Sequence, residues 1–447
     1  MRFSKLPLLL ALSTLMGLVL FTSMQSLARE DALHLNIYGP GQKDLNILVA
    51  PAVALDNDKL ASPRRAAKLR STIQDNLGYL FFLQQFKKQE LLGEKSISWI
   101  KAGDIDFKRL RMSDVDLVMT MGCRFLESGK AQVELRVYGA YTQNLLVGRG
   151  YVLSNEAQTI QAADRFCGAL MEQLTGRSGF FNSRLAFSKQ VGDKAKEIYT
   201  STPSGRDRKK VSQCKGICLS PSWSWNAKQL AYTHIGSDSH ELKIWHKDTE
   251  ETESITLPGR SVISPAFTPQ GDLVLSLDPR GNPDIYFLQE NRKLGESLVE
   301  SWGIDISPGF DANMEKMVFV SSRLGNPHIF IMDLNSREVS RLSMQGNYNT
   351  DPTISPSGRL VAYARRTQKG HRIVVHDTAT GKVRPITAGA GNDENPSWGP
   401  DGYFLLFSSN RSGKYELFLT TRYGAGPKKI DTGAGSATAV DWGPEVR

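Results

Sequence analysis

The sequence predicts an α/β N-terminal domain followed by an all-β, six-bladed β-propeller. Three observations carry this: a proline-anchored repeat fills the second half, each repeat holds several short apolar segments, and the residues before it mix helical and strand periodicities. At 447 residues the chain exceeds what one compact core organises, and 40% hydrophobic with 23% charged residues is ordinary globular material. That composition excludes collagen-like, low-complexity and wholly disordered classes.

At the N-terminus, Arg2 and Lys5 precede an apolar run over residues 6–21, and Ser26, Leu27 and Ala28 supply a small-x-small cleavage site. Residues 1–28 therefore read as a secretory signal peptide cut after Ala28. An uncleaved anchor needs roughly 20 apolar residues, more than this run offers, and no cysteine follows the cut to carry a lipid. No later segment approaches spanning length, so the mature protein is expected to be exported and soluble. Removing Arg2 and Lys5 lowers the net charge from +9 to +7, a surplus that serves solubility. The densest basic run, Arg206, Arg208, Lys209 and Lys210, has no interleaved aromatics and reads as a solvated loop, not a nucleic-acid site.

Residues 29–175 form the α/β domain. Leu33, Leu35 and Ile37 alternate with polar residues, and residues 47–50 read as a buried strand. Ser62 and Pro63 open a helix that continues to about Leu77, with a capping residue followed by proline in the first turn. Strands are expected over 117–120, 133–137 and 145–147. A last helix carries Ile160, Ala163, Cys167, Leu170 and Leu174 on one face and stops at Gly176. Residues 176–196 are expected to link this domain to the propeller, 197–447.

The repeat is anchored by Pro221, Pro265, Pro308, Pro352 and Pro396, spaced 44, 43, 44 and 44 residues apart, and one more step reaches Val440. Asp441, Trp442, Gly443 and Pro444 keep the register of Ser397, Trp398, Gly399 and Pro400, so there are six registers. Two residues after each anchor stand Trp223, Phe267, Phe310, Ile354, Trp398 and Trp442, the large apolar position of a buried inner strand. A tight turn follows at 226–227, 270–271, 313–314, 357–358 and 401–402, and three of these five place glycine second. Further strands then fall at intervals, for example 360–363, 373–375 and 384–387, which makes four strands per repeat, one propeller blade. A leucine-rich or helical repeat would have a shorter period or a spacing of 3.6. The sixth register carries only an inner strand, so closing the ring requires strands from upstream, and 197–218 is the expected source.

Catalytic chemistry finds little support. Cys123, Cys167, Cys214 and Cys218 have neither the spacing of a thiol oxidoreductase nor that of a zinc site, which leaves a structural bridge or buried thiols. No serine sits in a nucleophile elbow and no histidine pair forms H-E-x-x-H. His371 and His376 flank a short strand as surface or edge residues. Carboxylates recur before the inner strands, but polar turns need such residues without any acid/base role. No catalytic residue, cofactor or metal is assigned.

These loops do support binding. In an up-and-down blade, the loop entering the inner strand and the loop between the second and third strands emerge on one face. The first set gives Ser261, Asp305, Asn349, Thr350, Asp351, Asp393, Glu394 and Asn395; the second gives Arg280, Arg323 and Arg411, each 15 residues after its anchor. The arginines either contribute to a docking surface or brace neighbouring blades.

The signal sequence, the short α/β domain and repeats such as residues 352–363 (PTISPSGRLVAY) and 396–402 (PSWGPDG) together resemble the TolB family of the Tol-Pal system. The resemblance implies a periplasmic scaffold, not an enzyme. It would bind the peptidoglycan-associated lipoprotein Pal through the propeller and TolA through its N-terminal end, in support of outer-membrane integrity and constriction at division. It places Arg29, Glu30, Asp31, Ala32 and Leu33 at the TolA-contacting end and the loop residues above at or near the Pal surface. The first and third repeats depart from the Pro-Asp-Gly turn, and the sixth lacks its proline. An enzyme or binding protein acting on envelope glycans, or a scaffold of another envelope machine, are the alternatives.

Overall fold

The computed structural model describes residues 43–55, 63–93, 96–126, 128–237, 240–259 and 261–445. The signal sequence, the segment from Arg29 to Leu33, the alternating Leu33, Leu35 and Ile37, and the capping Ser62 lie outside the described residues. Among the described residues no helix is long and apolar enough to cross a membrane.

The N-terminal part is a five-stranded sheet of β1 (Leu45–Ala54), β2 (Leu83–Phe86), β3 (Leu117–Phe125), β4 (Ala131–Gly139) and β5 (Leu145–Leu153), in the order β2-β1-β3-β4-β5. Helices α1 (Pro63–Leu77) and α3 (Glu156–Thr175) cover one sheet face through Leu69, Ile73, Phe166 and Leu170, all essentially inaccessible. On the other face, Trp99, Phe107 and Leu110 pack around the short α2 (Phe107–Met112). Asn155 caps α3 by accepting from the Gln158 amide, and Gly176 ends it at φ 66°, the left-handed position where only glycine is unstrained.

Among the described residues the repeats form four four-stranded antiparallel sheets and one eight-stranded sheet. Every inner strand breaks its pairing register at one place, immediately before the anchor position. The residue at the break is left-handed in all six: Ser220, Ser264, Ser307, Asp351, Asn395 and Ala439, with φ between 47° and 58°. Non-glycine residues in this conformation cost about 1–3 kcal/mol each and persist only where the surroundings fix them. Here a bulge re-aims one side chain per repeat, and all six line the central cavity. The tight turns also hold without glycine, since Ala227 and Met314 adopt φ 57° and 56° where other repeats place Gly271, Gly358 and Gly402.

Ring closure differs from expectation. Residues 185–192, read as linker, form a strand, β6 (Leu185–Gly192), which pairs directly with the last inner strand, Ala437–Trp442. β7 (Ala195–Ser201) and β8 (Lys209–Lys210) follow, so closure begins some residues earlier than 197. Only β7 and the short β8 come from the expected stretch. The closing strand is joined to the first inner strand as well: the Asp441 carboxylate accepts from the Trp223 amide at 2.7 Å.

The segment between α3 and β6 is an apolar junction. Phe180 is fully buried, with its ring 4.8 Å from Phe404, 5.5 Å from Trp442 and 6.0 Å from Tyr79. Around it, Trp442 Nε1 donates to Ser183 Oγ at 2.8 Å, the Arg177 guanidinium donates to the Asp401 carbonyl, and Arg206 bonds Asp164 and Asn76. The described residues of the α/β part thus seat against the turn side of the repeats around 400–404, opposite the loop side.

Candidate binding face and central channel

Inner strands run from the loop side toward the tight turns, and second strands run back, as their antiparallel registers require. The residues singled out in the loops therefore gather on one side of the ring, but their side chains do different things.

Two repeats build the same clasp. Arg323 Nη2 donates to both oxygens of Asp305 at 3.1 and 3.2 Å and Nε to Ser321 Oγ at 2.8 Å, while its guanidinium covers the rings of Phe319 and Phe330 at 5.6 and 5.0 Å. Arg411 repeats this on Asp393 Oδ1 at 2.7 Å, Ser409 Oγ at 3.0 Å, and Phe407 and Phe418 at 5.3 and 5.2 Å. Both aspartates are fully buried. Both arginines stiffen their own blades, Asp393 also lies 3.9 Å from Arg372 of the preceding repeat, and these side chains offer little to a partner.

Asn349 is also buried, beside His328 Nδ1 at 3.3 Å, with its amide donating to the Gln345 carbonyl. Ser261 donates its backbone N–H to Asp278. Arg280 stays at the surface, paired with Glu300 at 2.9 Å.

Asp351, Glu394 and Asn395 do converge. Asp351 accepts from the Asn395 amide at 3.3 Å and from Thr350, and Asn395 Oδ1 accepts from the Ala439 amide at 3.4 Å, so bulge residues link one repeat to the next. Ser264 and Ser307 hydroxyls meet in the same way at 3.3 Å. Beside them Glu394 accepts from the Tyr415 hydroxyl at 2.7 Å and lies 2.5 Å from His371 Nδ1, whose ring stacks on Tyr348. The channel behind this group has a volume of about 510 Å³, polar at the level of the bulges and lined by Trp225, Ala312, Pro356, Pro400 and Pro444 toward the turns. Residue reading named Asp351 and Asn395 but missed Ser220, Ser264, Ser307 and Ala439. The position just before each anchor was the available signal.

Two carboxylates in the channel wall are perturbed. Burial raises Asp351 above its ordinary range, with the Glu394 charge adding to the shift against the Asn395 amide. Burial pushes Asp441 up to about 6, against the hydrogen bonds from the Trp223 and Trp442 amides. A carboxyl whose folded pKa is raised gives stability that is complete below its unfolded pKa of about 3.9 and is lost as pH rises through about 6. Asp441→Asn keeps an acceptor for Trp223 without the charge. It is expected to raise stability by about 1–2 kcal/mol at pH 7.5, at roughly 1.4 kcal/mol per unit of displaced pKa less screening by channel water, and to lose that advantage below pH 4. Urea unfolding at both pH values checks it.

Cys214 and Cys218 are bridged, Cys123 and Cys167 are buried thiols, and burial pushes Cys123 up to about 11. Among the described residues no group of three or more His, Cys, Asp or Glu side chains is placed to hold a metal ion.

These features define a class, a β-propeller whose channel opens on a polar loop face and whose turn side carries a small α/β domain. Residues 171–446 match the TolB β-propeller domain family, and the chain belongs to that family. It is 39% identical over 293 residues to the Tol-Pal system protein TolB of Nitratidesulfovibrio vulgaris, covering 66% of each chain. It is 32% identical over 215 residues to a TolB homolog of Chlorobium luteolum, covering 48% of each. The chain thus matches about two-thirds of the first relative's length and about half of the second's. The crystal structure of TolB from Acinetobacter baumannii shares the fold, with a TM-score of 0.76 at 22% identity over 90% of this chain and 97% of that one.

Proposed function

We propose that this protein is a periplasmic component of the Tol-Pal system, a non-enzymatic scaffold that docks Pal on the loop face of its propeller and TolA through its N-terminal end. Family membership carries the reading, and the loop face, opposite the described residues of the α/β part, supplies a surface for a protein partner. The role that follows is support of outer-membrane integrity and of envelope constriction at division.

In this reading residues 1–28 are removed on export, 29–175 form the α/β domain, and the propeller has six blades. The eight-stranded sheet then counts as two of them, one built on Ile217–Trp223 and the other on Ala437–Trp442 with β6, β7 and β8. Arg29, Glu30, Asp31, Ala32 and Leu33 form the TolA contact. Asp351, Glu394 and Asn395 lie at the channel mouth within the Pal surface.

The test is calorimetric titration of residues 29–447 with the soluble domains of Pal and of TolA, repeated after deletion of residues 29–33. Saturable one-to-one binding of Pal by both forms, with TolA bound only by the intact form, is the expected result. A folded sample that binds neither removes the assignment; binding of glycan fragments in the channel would replace it with the carbohydrate alternative.

A further inference from the structure

Four large apolar side chains stand in water on the loop face: Trp302 is 71% exposed, Met344 72%, Leu324 58% and Ile304 44%. Isolated exposed apolar residues are ordinary, but a contiguous group marks an interaction surface. These occupy three successive loops: Trp302 and Ile304 precede the inner strand Asp305–Phe310, Leu324 follows the strand Lys316–Ser321, and Met344 precedes the inner strand Asn349–Ile354.

The backbone holds the loops together. Ile304 N–H donates to Ser322 Oγ at 2.8 Å and Ser322 N–H to the Ile304 carbonyl at 3.0 Å. Asn282 Nδ2 donates to the Trp302 carbonyl at 3.0 Å, and Asn349 N–H to the Pro327 carbonyl at 2.9 Å. A Cβ on Gly303 would lie 2.6 Å from the Arg323 nitrogen, so the Trp302 loop is pressed directly onto the Leu324 loop. The crescent is therefore set before any partner arrives, which lowers the ordering cost of binding.

Its flank is cationic. Gln345, next to Met344, accepts from Arg365 Nη1 at 3.1 Å, and Arg365 also donates to the Tyr363 hydroxyl. The Arg366 guanidinium lies 5.8 Å from the Tyr348 ring, and Lys369 stands exposed on the same hairpin. Arg365 and Arg366 are thus held by an amide, a hydroxyl and a ring, and among the described residues neither is paired with a carboxylate.

We propose that this crescent is the anchor of the docking face and receives a folded protein whose contact surface has an apolar centre flanked by carboxylates. The inference rests on the reading above, in which that protein is Pal. Trp302 is its expected hot spot, since exposed tryptophan closed off by a partner carries a large share of binding energy.

The test titrates the soluble domain of Pal into the mature protein and into Trp302→Ala, Trp302→Ala/Leu324→Ala, Arg366→Gln/Lys369→Gln and, in a turn on the opposite side, Gln270→Ala. Trp302→Ala is expected to weaken binding about tenfold or more and the double apolar variant further. Arg366→Gln/Lys369→Gln is expected to flatten the salt dependence of the affinity, and Gln270→Ala to leave it unchanged. Circular dichroism melting verifies that each variant folds. If the parent binds Pal and the double apolar variant binds within about twofold of it, the crescent is overturned while the Pal reading stands. No binding by the folded parent removes both.

Discussion

Asp393→Ala is expected to destabilise the propeller by about 3–5 kcal/mol, because it leaves the Arg411 guanidinium in a mostly buried site without its carboxylate. The loss comes from stranding a charge, so removing the pair together should cost much less. Asp393→Leu/Arg411→Met is expected to recover part of the stability, with Phe407 and Phe418 packing on the new side chains as they did on the guanidinium, while Arg372, 3.9 Å from Asp393, still loses its carboxylate. Guanidinium chloride unfolding of Asp393→Leu, Arg411→Met and the double variant gives the coupling energy directly. Single losses that simply add in the double variant would mean that the two side chains are uncoupled and that Arg411 contributes through packing alone.

Phe180→Ala is expected to be as severe, about 3–5 kcal/mol, by emptying the site where the α/β domain meets the propeller. The Phe180 ring touches groups from three places in the chain, namely Tyr79 after α1, Phe404 in the propeller and Trp442 in the closing strand. A cavity there loosens the seat of one domain on the other and weakens ring closure together. Limited proteolysis is the discriminating measurement: cleavage between residues 176 and 185, absent in the parent, should appear in the variant before either part unfolds. Unchanged cleavage with lowered stability would show that the junction stays closed without the ring.

Much of this architecture was legible in the sequence, because a 44-residue period with a proline, a large apolar residue and a turn at fixed offsets leaves few alternatives. The turns were readable even at Asn226-Ala227 and Asn313-Met314, where the repeat dictated a backbone that the residues alone do not favour. β6 was not. It precedes the first anchor, although in space it belongs to the last repeat, so counting forward from the anchors passes it by.

The candidate site was legible only in part, for reasons of distance and conformation. Asp393 and Arg411 lie 18 residues apart, on either side of a hairpin, and only the pairing of Asp393 with Ser409 brings them together. Sequence put both on the correct side of the ring but could not tell an internal brace from a docking group. The bulge residues were obscured by a local rule, since a residue before proline normally reads as extended. At Ser264, Ser307, Asp351 and Asn395 it is left-handed instead. Trp302 carried no periodic signal, and its meaning comes from an exposure that composition does not reveal.

The pairing of β6 with the last inner strand also governs the order of assembly. Trp442 and its partner Ser183 are 259 residues apart, so during synthesis β6 waits for its neighbour through nearly the whole of the rest of the chain. An open solenoid can add repeats one at a time, each stable on its predecessor. This ring has a latch, and until the final strand arrives the β6 edge stays available to any other unpaired strand. Completion is thereby tied to a contact of very long sequence separation, the kind that forms late and slowly. A chain stalled short of its last strand would hold most of the sheets and still lack the seam that makes them a single body.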